Sequence, residues 1–420
     1  MPAGTRTCPC CSCATFGTGG AESRHASVVS YAFLALLSCG LGLLSTATMA
    51  ADARRTTFGT LSNGTSVEAA ELSNATGIKV RIMTLGASIQ SLLAPDRRGH
   101  IADIVLGFDS AQEYLQDNHY FGGTVGRFAN RISKGRFTLD SHSFVLATND
   151  HGNHLHGGKV GFNKVLWILR SVKSGAPAIA TFSYVSPDGE EGYPGTLRVT
   201  ATFSLDDKNT LQVEYTASTD RPTIVNISSH NYFQLGAGVA GASAMDDTLQ
   251  ILASRYTPVD AQLIPTGELR SVSGTPFDFL QPTAVGQRVR DGNDLQLRFG
   301  RGYDHNFALD GAGTALREAA RIYSPGTGRI LEILTAAPGL QFYSGNFLDS
   351  TTAGKQGALY REGDALVFEP QLFPDAPNKA NFRSARLDPG RIYRNTIVYR
   401  FSTDNPVNFR QDANPREPTN

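Results

Sequence analysis

From Ala51 onward, apolar and polar positions alternate over short stretches separated by turn residues. Ile78, Val80 and Ile82 alternate with Lys79 and Arg81, the period of two expected of a half-buried strand. Leu197, Val199, Ala201 and Phe203 repeat the pattern against Arg198, Thr200 and Thr202. Asp206-Asp207-Lys208-Asn209 then predicts a hairpin loop into Leu211, Val213 and Tyr215. A β-branched and aromatic run from Ile392 to Phe401 predicts a strand near the end. Ser62-Asn63-Gly64, Pro187-Asp188-Gly189, Asp310-Gly311 and Ser324-Pro325-Gly326 punctuate the chain as turns. Only two short helices are predicted, over Asp109–Leu115 and Pro282–Val289. With no tandem repeat and no linker, the expectation is an all-β fold: one large antiparallel β-sandwich with few short helices. It spans 51–403 and is followed by a polar Pro/Asn-rich tail, 404–420.

Composition narrows the function. Basic and acidic residues balance at 38 each, so no basic surplus points to nucleic acid. All five cysteines precede residue 50, which leaves the main body without a disulfide framework or a cysteine–zinc site. The run Cys8-Pro9-Cys10-Cys11-Ser12-Cys13 suggests a metal knuckle but lacks a second ligand pair at finger spacing. Segment 1–50 reads as a leader. Arg24 and His25 precede an apolar run from Val28 to Leu44, and small residues follow to Ala50, the parts of a secretory signal cut before Ala51. The expectation is export, periplasmic or secreted, with no stable membrane insertion once the leader is removed. A membrane anchor and lipid attachment at Cys39 are the alternatives.

Four segments carry more polar chemistry than a sandwich core requires. Gly126-Arg127-Phe128-Ala129-Asn130-Arg131-Ile132 places two guanidinium forks and an amide beside a glycine, suited to hydrogen bonding several hydroxyls or, on this segment alone, to a plain surface turn. His151-Gly152-Asn153-His154-Leu155-His156 admits three readings: a metal site, a polar loop, or a substrate-contacting histidine. On a strand, His154 and His156 would share a face. His230 and Asn231 interrupt an apolar stretch and need buried partners. Glu369 ends the apolar run Leu366-Val367-Phe368. A carboxylate so placed is either a strand-end salt bridge or a desolvated base with a raised pKa. Asp304 lies in a further polar stretch, Tyr303-Asp304-His305-Asn306.

Taken together, these segments resemble the aldose 1-epimerase family, also called galactose mutarotases, from about Phe58 to Phe401. The resemblance rests on Phe58-Gly59-Thr60, Leu85-Gly86-Ala87-Ser88, Leu106-Gly107-Phe108-Asp109, the arginine segment, Leu155-His156-Gly157-Gly158, Pro338 to Asn346, Glu369-Pro370-Gln371 and Pro374 to Asn378. It implies a galactose mutarotase-like supersandwich and interconversion of the α and β anomers of free aldoses, with no cofactor and no metal. It further implies Glu369 as general base and His230 as general acid, with Asn130, Arg131, His156, Tyr232, Asp304 and Gln341 lining the sugar site. Tyr232, Phe307 or Phe342 would pack on the sugar ring. The partner implied is a small free sugar, and the assembly a monomer or homodimer. The segments Gly236–Ala244 and Leu295–Arg301 depart from the pattern and are expected to shape the rim. Three rivals remain: an enzyme for a phosphorylated sugar using Arg127 and Arg131, a non-catalytic sugar-binding module, and a polysaccharide lyase or hydrolase.

Overall fold

A computed structural model describes residues 51–403 apart from Ala312 and Thr314. The leader, its cysteines and the tail from Asp404 lie outside the described residues. Three antiparallel sheets dominate. The largest has nine strands, among them Ala178–Ser186, Leu197–Leu205, Thr210–Thr219, Tyr393–Thr403 and Arg329–Thr335. A five-stranded sheet runs in chain order from Asp52–Thr60 to Ile101–Asp103. A six-stranded sheet lines up Tyr232–Phe233, Leu366–Gln371, Gly339–Tyr343, Asp304–Ala308, Arg255–Tyr256 and Arg270–Ser271.

The alternation read from the sequence is the cause of this layering. In Leu197–Leu205 every odd-numbered residue is buried and every even-numbered one is exposed or half-buried. Ile82, Phe203 and Phe342, one from each sheet, belong to a single apolar core. Burying a side chain of that size contributes about 1.5–3 kcal/mol. The hairpin at Asp206–Asn209 forms as expected: the Asp206 carboxylate accepts from the N–H groups of Lys208 and Thr210, and Asn209 takes φ +62°.

The predicted helices need correction. The first occupies Ala111–Gln116, where Ser110 and Glu113 form a reciprocal capping box. The second is absent. Thr283–Ala284 pairs at the edge of the large sheet, and Val285–Gln287 makes one 3₁₀ turn. Sheet pairing takes backbone groups that a helix there would have used, and Val285 N–H goes to Asp247 O. A helix not predicted occupies Leu295–Gly300, capped by Asp294, whose carboxylate accepts from Gln296 and Leu297 N–H. No described helix is long and apolar enough to cross a membrane.

Candidate active site

The six-stranded sheet sets out the site. Asn306, Gln341 and Glu369 stand opposite one another on three neighbouring strands, and Asp304, Tyr343, Val367 and Tyr232 form the next row. Side chains of both rows leave the same face, because residues two apart on a strand share a face. The opposite face carries Phe307, Phe342 and Phe368, all fully buried in the core. Phe342 and Phe368 stack there at 5.2 Å. Phe307 and Phe342 are therefore removed as partners for a sugar ring, since alternation turns them inward. The aromatic residues that line the cavity are Tyr120, Tyr232, Phe299, Tyr343 and Phe347.

That cavity measures about 550 Å³ and is lined by Glu369, His230, His156, Asn130, Arg131, Asp304 and Tyr232, among others. Of the eight residues singled out from the sequence, Gln341 alone does not line it. It stands behind Asp304 and donates from Nε2 to Asp304 Oδ1 at 2.7 Å. Asp304 Oδ2 accepts from Arg131 Nη1 at 3.3 Å, and Arg131 Nε donates to Asp150 Oδ2 at 2.7 Å. One buried guanidinium is thus held by two carboxylates, and one of these is held in turn by a buried amide. Burial alone would lower the Arg131 pKa, but Asp304 and Asp150 raise it above the usual value.

His156 arrives by a route the sequence did not indicate. Only His154–Leu155 is a strand, paired with Arg131–Ile132, and His156 then takes φ +50°. The expected shared face fails at this turn. His154 points away and meets Tyr193 Oη and Ala147 O, while His156 enters the cavity. His151 is 89% exposed in its side chain and pairs with Asp150. Gly157 (φ +90°) makes the turn possible, since a Cβ there would lie 1.7 Å from Gly126 O. Nδ1 of His156 accepts from Asn130 N–H at 3.1 Å. A backbone amide can only donate, so the neutral ring carries its proton on Nε2 and offers a donor to a ligand.

Glu369 is 2% exposed. Its Oε1 lies 3.9 Å from His230 Nε2, and its Oε2 lies 3.9 Å from His156 Nδ1. Both separations exceed a hydrogen bond. Burial raises the Glu369 carboxyl well above the usual range; Asp304 adds to this and Arg131 opposes it. Burial lowers His230 to about 3, with His119 contributing in the same direction. It also lowers His156 well below 6.5, helped by His230 and Arg131. Burial thus disfavours the charged form of both Glu369 and His230.

His156, His230 and Glu369 are also the one described trio whose ligand atoms come close enough to suggest a metal, all within 4.8 Å of one another. Tetrahedral zinc needs donors roughly 3.4 Å apart. Closing on an ion would demand inward movement and would cost His156 its bond from Asn130.

Several cavity residues escaped the sequence reading. Tyr120 (φ +65°) sits between the two histidines, with its ring 4.6 Å from His156 and 5.6 Å from His230. His119 pairs with Asp117 at 2.6 Å, and Asp150 anchors Arg131. Asn118-His119-Tyr120 carried a faint signal, polar and aromatic groups together, whereas Asp150 carried none. Of the two segments expected at the rim, Leu295–Arg301 contributes Phe299 and Arg301, and Gly236–Ala244 contributes no lining residue. Arg127 lies elsewhere: it is 2% exposed and donates to the carbonyls of Ser186, Pro187, Pro194 and Gly195. The phosphorylated-sugar rival loses both its arginines, Arg127 to a structural clamp and Arg131 to two carboxylates.

Comparison with known proteins points the same way. A family model described as aldose 1-epimerase matches residues 68–400. The chain is 45% identical over 325 residues to galactose mutarotase of Bos taurus, covering 77% of this chain and 91% of the relative. It is 43% identical over 353 residues to galactose mutarotase of Homo sapiens, covering 84% and 99%. The crystal structure of galactose 1-epimerase from Lactobacillus acidophilus NCFM superposes with a TM-score of 0.74 at 29% identity, covering 84% of this chain and 99% of that one.

Proposed function

The chain belongs to the aldose 1-epimerase family and is a carbohydrate isomerase, and we propose that it interconverts the anomers of free aldohexoses such as glucose and galactose through Glu369 and His230. The observation that carries the assignment of roles is the 3.9 Å approach of Glu369 Oε1 and His230 Nε2 at one cavity wall. The anomeric hydroxyl and the ring oxygen of an aldose are attached to the same carbon. Two groups this close can serve both oxygens at once.

The chemistry balances within the pair. Sugar hydroxyls bonded to the site favour the charged tautomer, in which the shared proton sits on His230 and Glu369 is ionised. Glu369 takes the proton of the anomeric hydroxyl, His230 donates to the ring oxygen, and the C1–O5 bond breaks to leave an aldehyde. After rotation about C1–C2 the C5 hydroxyl attacks the other face of C1. His230 then takes the proton from O5, and Glu369 returns its proton to O1. Neither group ends changed, and each contributes about 10²–10⁴-fold. His156 donates from Nε2 to a sugar oxygen, and Arg131, Asp304 and Asn130 orient the ring hydroxyls. Gln341 holds Asp304 in place, and Tyr232 borders the ring. A non-catalytic module would not need an acid–base pair, which costs burial of two titratable groups, Glu369 and His230.

Polarimetry of fresh α-D-glucose and α-D-galactose with the full chain, Glu369→Gln and His230→Asn tests the assignment. Both variants are expected to fall by at least about 10²-fold while keeping their circular dichroism. A folded Glu369→Gln protein with full activity would remove Glu369 as the base. The leader supports export. Intact mass of protein recovered outside the cytoplasm is expected to begin at Ala51, and an uncleaved mass would refute processing there.

A further inference from the structure

Beside the catalytic cavity lies a second one of about 470 Å³, for which mutarotation has no use. The two meet along one strand. In Leu366–Gln371, Glu369 faces the first cavity, and Gln371, two residues on and on the same face, borders the second. Gln371 is 1% exposed, and neither its amide nitrogen nor its carbonyl oxygen finds a hydrogen-bond partner among the described residues. A buried amide with both functions open is costly, about 1–3 kcal/mol for each unpaired group, unless something engages it.

The mouth of this cavity is cationic. Arg383, Arg386, Arg391 and Arg394 line it, and no aspartate or glutamate does so. Arg386 is neutralised by Asp140 and Asp388, and Arg394 by Glu214. Arg383 and Arg391 have no carboxylate partner among the described residues, which leaves two guanidinium forks over the opening. The rest of the lining is mixed: Val225, Pro338, Leu372 and Tyr393 supply apolar surface, and Asn226, Asn395 and Thr396 polar groups.

We propose that this cavity binds a nucleoside monophosphate, with the phosphate held by Arg383 and Arg391, the ring against Pro338 and Tyr393, and the base edge read by Gln371. Three features select that class. A phosphate monoester carries about −1.5 to −2 charges at pH 7, which matches two unneutralised guanidiniums. A flat heteroaromatic body bearing polar edge groups suits a lining that mixes Val225, Pro338, Leu372 and Tyr393 with side-chain amides. A side-chain amide offers one donor and one acceptor side by side, the complement of a base edge such as adenine N6/N7. The volume falls within the roughly 300–1,000 Å³ of small-molecule sites.

Calorimetric titration of the full chain with AMP, adenosine, phenyl phosphate and inorganic phosphate tests the site, with mutarotation assayed alongside as a check on folding. AMP is expected to bind saturably at one site, at least tenfold more tightly than either adenosine or phosphate. The double variant Arg383→Ala/Arg391→Ala is expected to lose about tenfold per arginine while keeping its mutarotation rate. Gln371→Leu is expected to close most of the gap between AMP and phenyl phosphate. No saturable AMP binding at millimolar concentration, phosphate binding as tight as AMP, or a double variant with unchanged AMP affinity would each overturn the proposal. None of these results depends on whether Glu369 and His230 have the roles assigned above.

Discussion

Replacing Glu369 by glutamine is expected to abolish activity and, at the same time, to stabilise the fold increasingly as pH rises. The reasoning starts from burial. A carboxyl with 2% exposure and a pKa pushed well above its usual range binds its proton more tightly in the native state than in the unfolded chain. Below about pH 4.5 both states hold the proton, and wild type loses nothing. Above it the unfolded chain ionises freely while the native state resists, so native stability falls as pH rises, by up to about 1.4 kcal/mol per pH unit, until the native carboxyl itself ionises. Glutamine has no proton to lose. His230 and His156 have the opposite sign: their lowered pKa values favour the native state above about 6.5 and penalise it as pH falls. Wild type and variant share that component, and it largely cancels in their difference. The unpaired amide nitrogen of the variant adds a constant offset, because Glu369 Oε2 has no partner among the described residues to lend it. The slope therefore carries the information. Thermal melts of both proteins at pH 5, 6 and 7 should show a Tm difference that widens with pH, by about 2 °C for each kcal/mol at this chain size. A difference that stays flat across that range would refute the claim that Glu369 rests protonated.

Three further outcomes follow from the same geometry. The acid limb of kcat/KM for mutarotation should lie near pH 3, since the second proton enters the pair only when His230 titrates at its lowered value; a limb near 6.5 would mean that His230 behaves as an ordinary histidine. Asp304→Asn removes one negative charge from Arg131 and leaves a single oxygen to accept from either Arg131 or Gln341, and should raise KM more than it lowers kcat, with a stability loss of up to about 3 kcal/mol because Asp150 still pairs the guanidinium. Denaturant melts and the KM/kcat split check both parts. Gly157→Ala drives a methyl group into Gly126 O and forces φ +90° on a residue with a Cβ; a loss above about 3 kcal/mol is expected, together with displacement of His156 seen as loss of activity in the protein that remains folded.

The strands were legible because their side chains obey a rule of period two, and burial follows that rule residue by residue in Leu197–Leu205. The helix predicted over Asp109–Leu115 forms at Ala111–Gln116, where Ser110 and Glu113 close a capping box. Leu295–Gly300, equally short, was missed because its start is marked by one capping aspartate, with Leu297 where Ala111–Gln116 has the reciprocal glutamate. Pro282–Val289 was misread because edge pairing with Thr248 and Leu249 outweighs local preference. At the site, Glu369 was visible as a charge ending an apolar run. Asp150 was not, because its partner Arg131 is reached across a turn rather than along a strand. The histidine segment shows the limit most sharply. Alternation predicted His154 and His156 together, and one positive φ at His156 sends them to different environments.

The way burial biases the resting state of the pair bears on how the site works. Ordinary pKa values would give an ionised glutamate beside a largely neutral histidine at pH 7. The fold instead sets both groups at the base of a cavity behind Tyr120 and Tyr232, where desolvation outweighs the neighbouring charges. An uncharged pair with one proton has the same composition as the charged pair and differs only in where the proton sits. It avoids the cost of two buried charges in the resting protein. Polar hydroxyls of a bound sugar then lower that cost at the moment the ion pair is needed. A ligand that fills the cavity without hydroxyls near Glu369 and His230 should leave the pair neutral, and deoxygenating the sugar beside its anomeric carbon should reduce kcat as well as affinity. If 2-deoxyglucose lost only affinity, the hydroxyl-driven transfer of the proton would be wrong even with both residues correctly assigned.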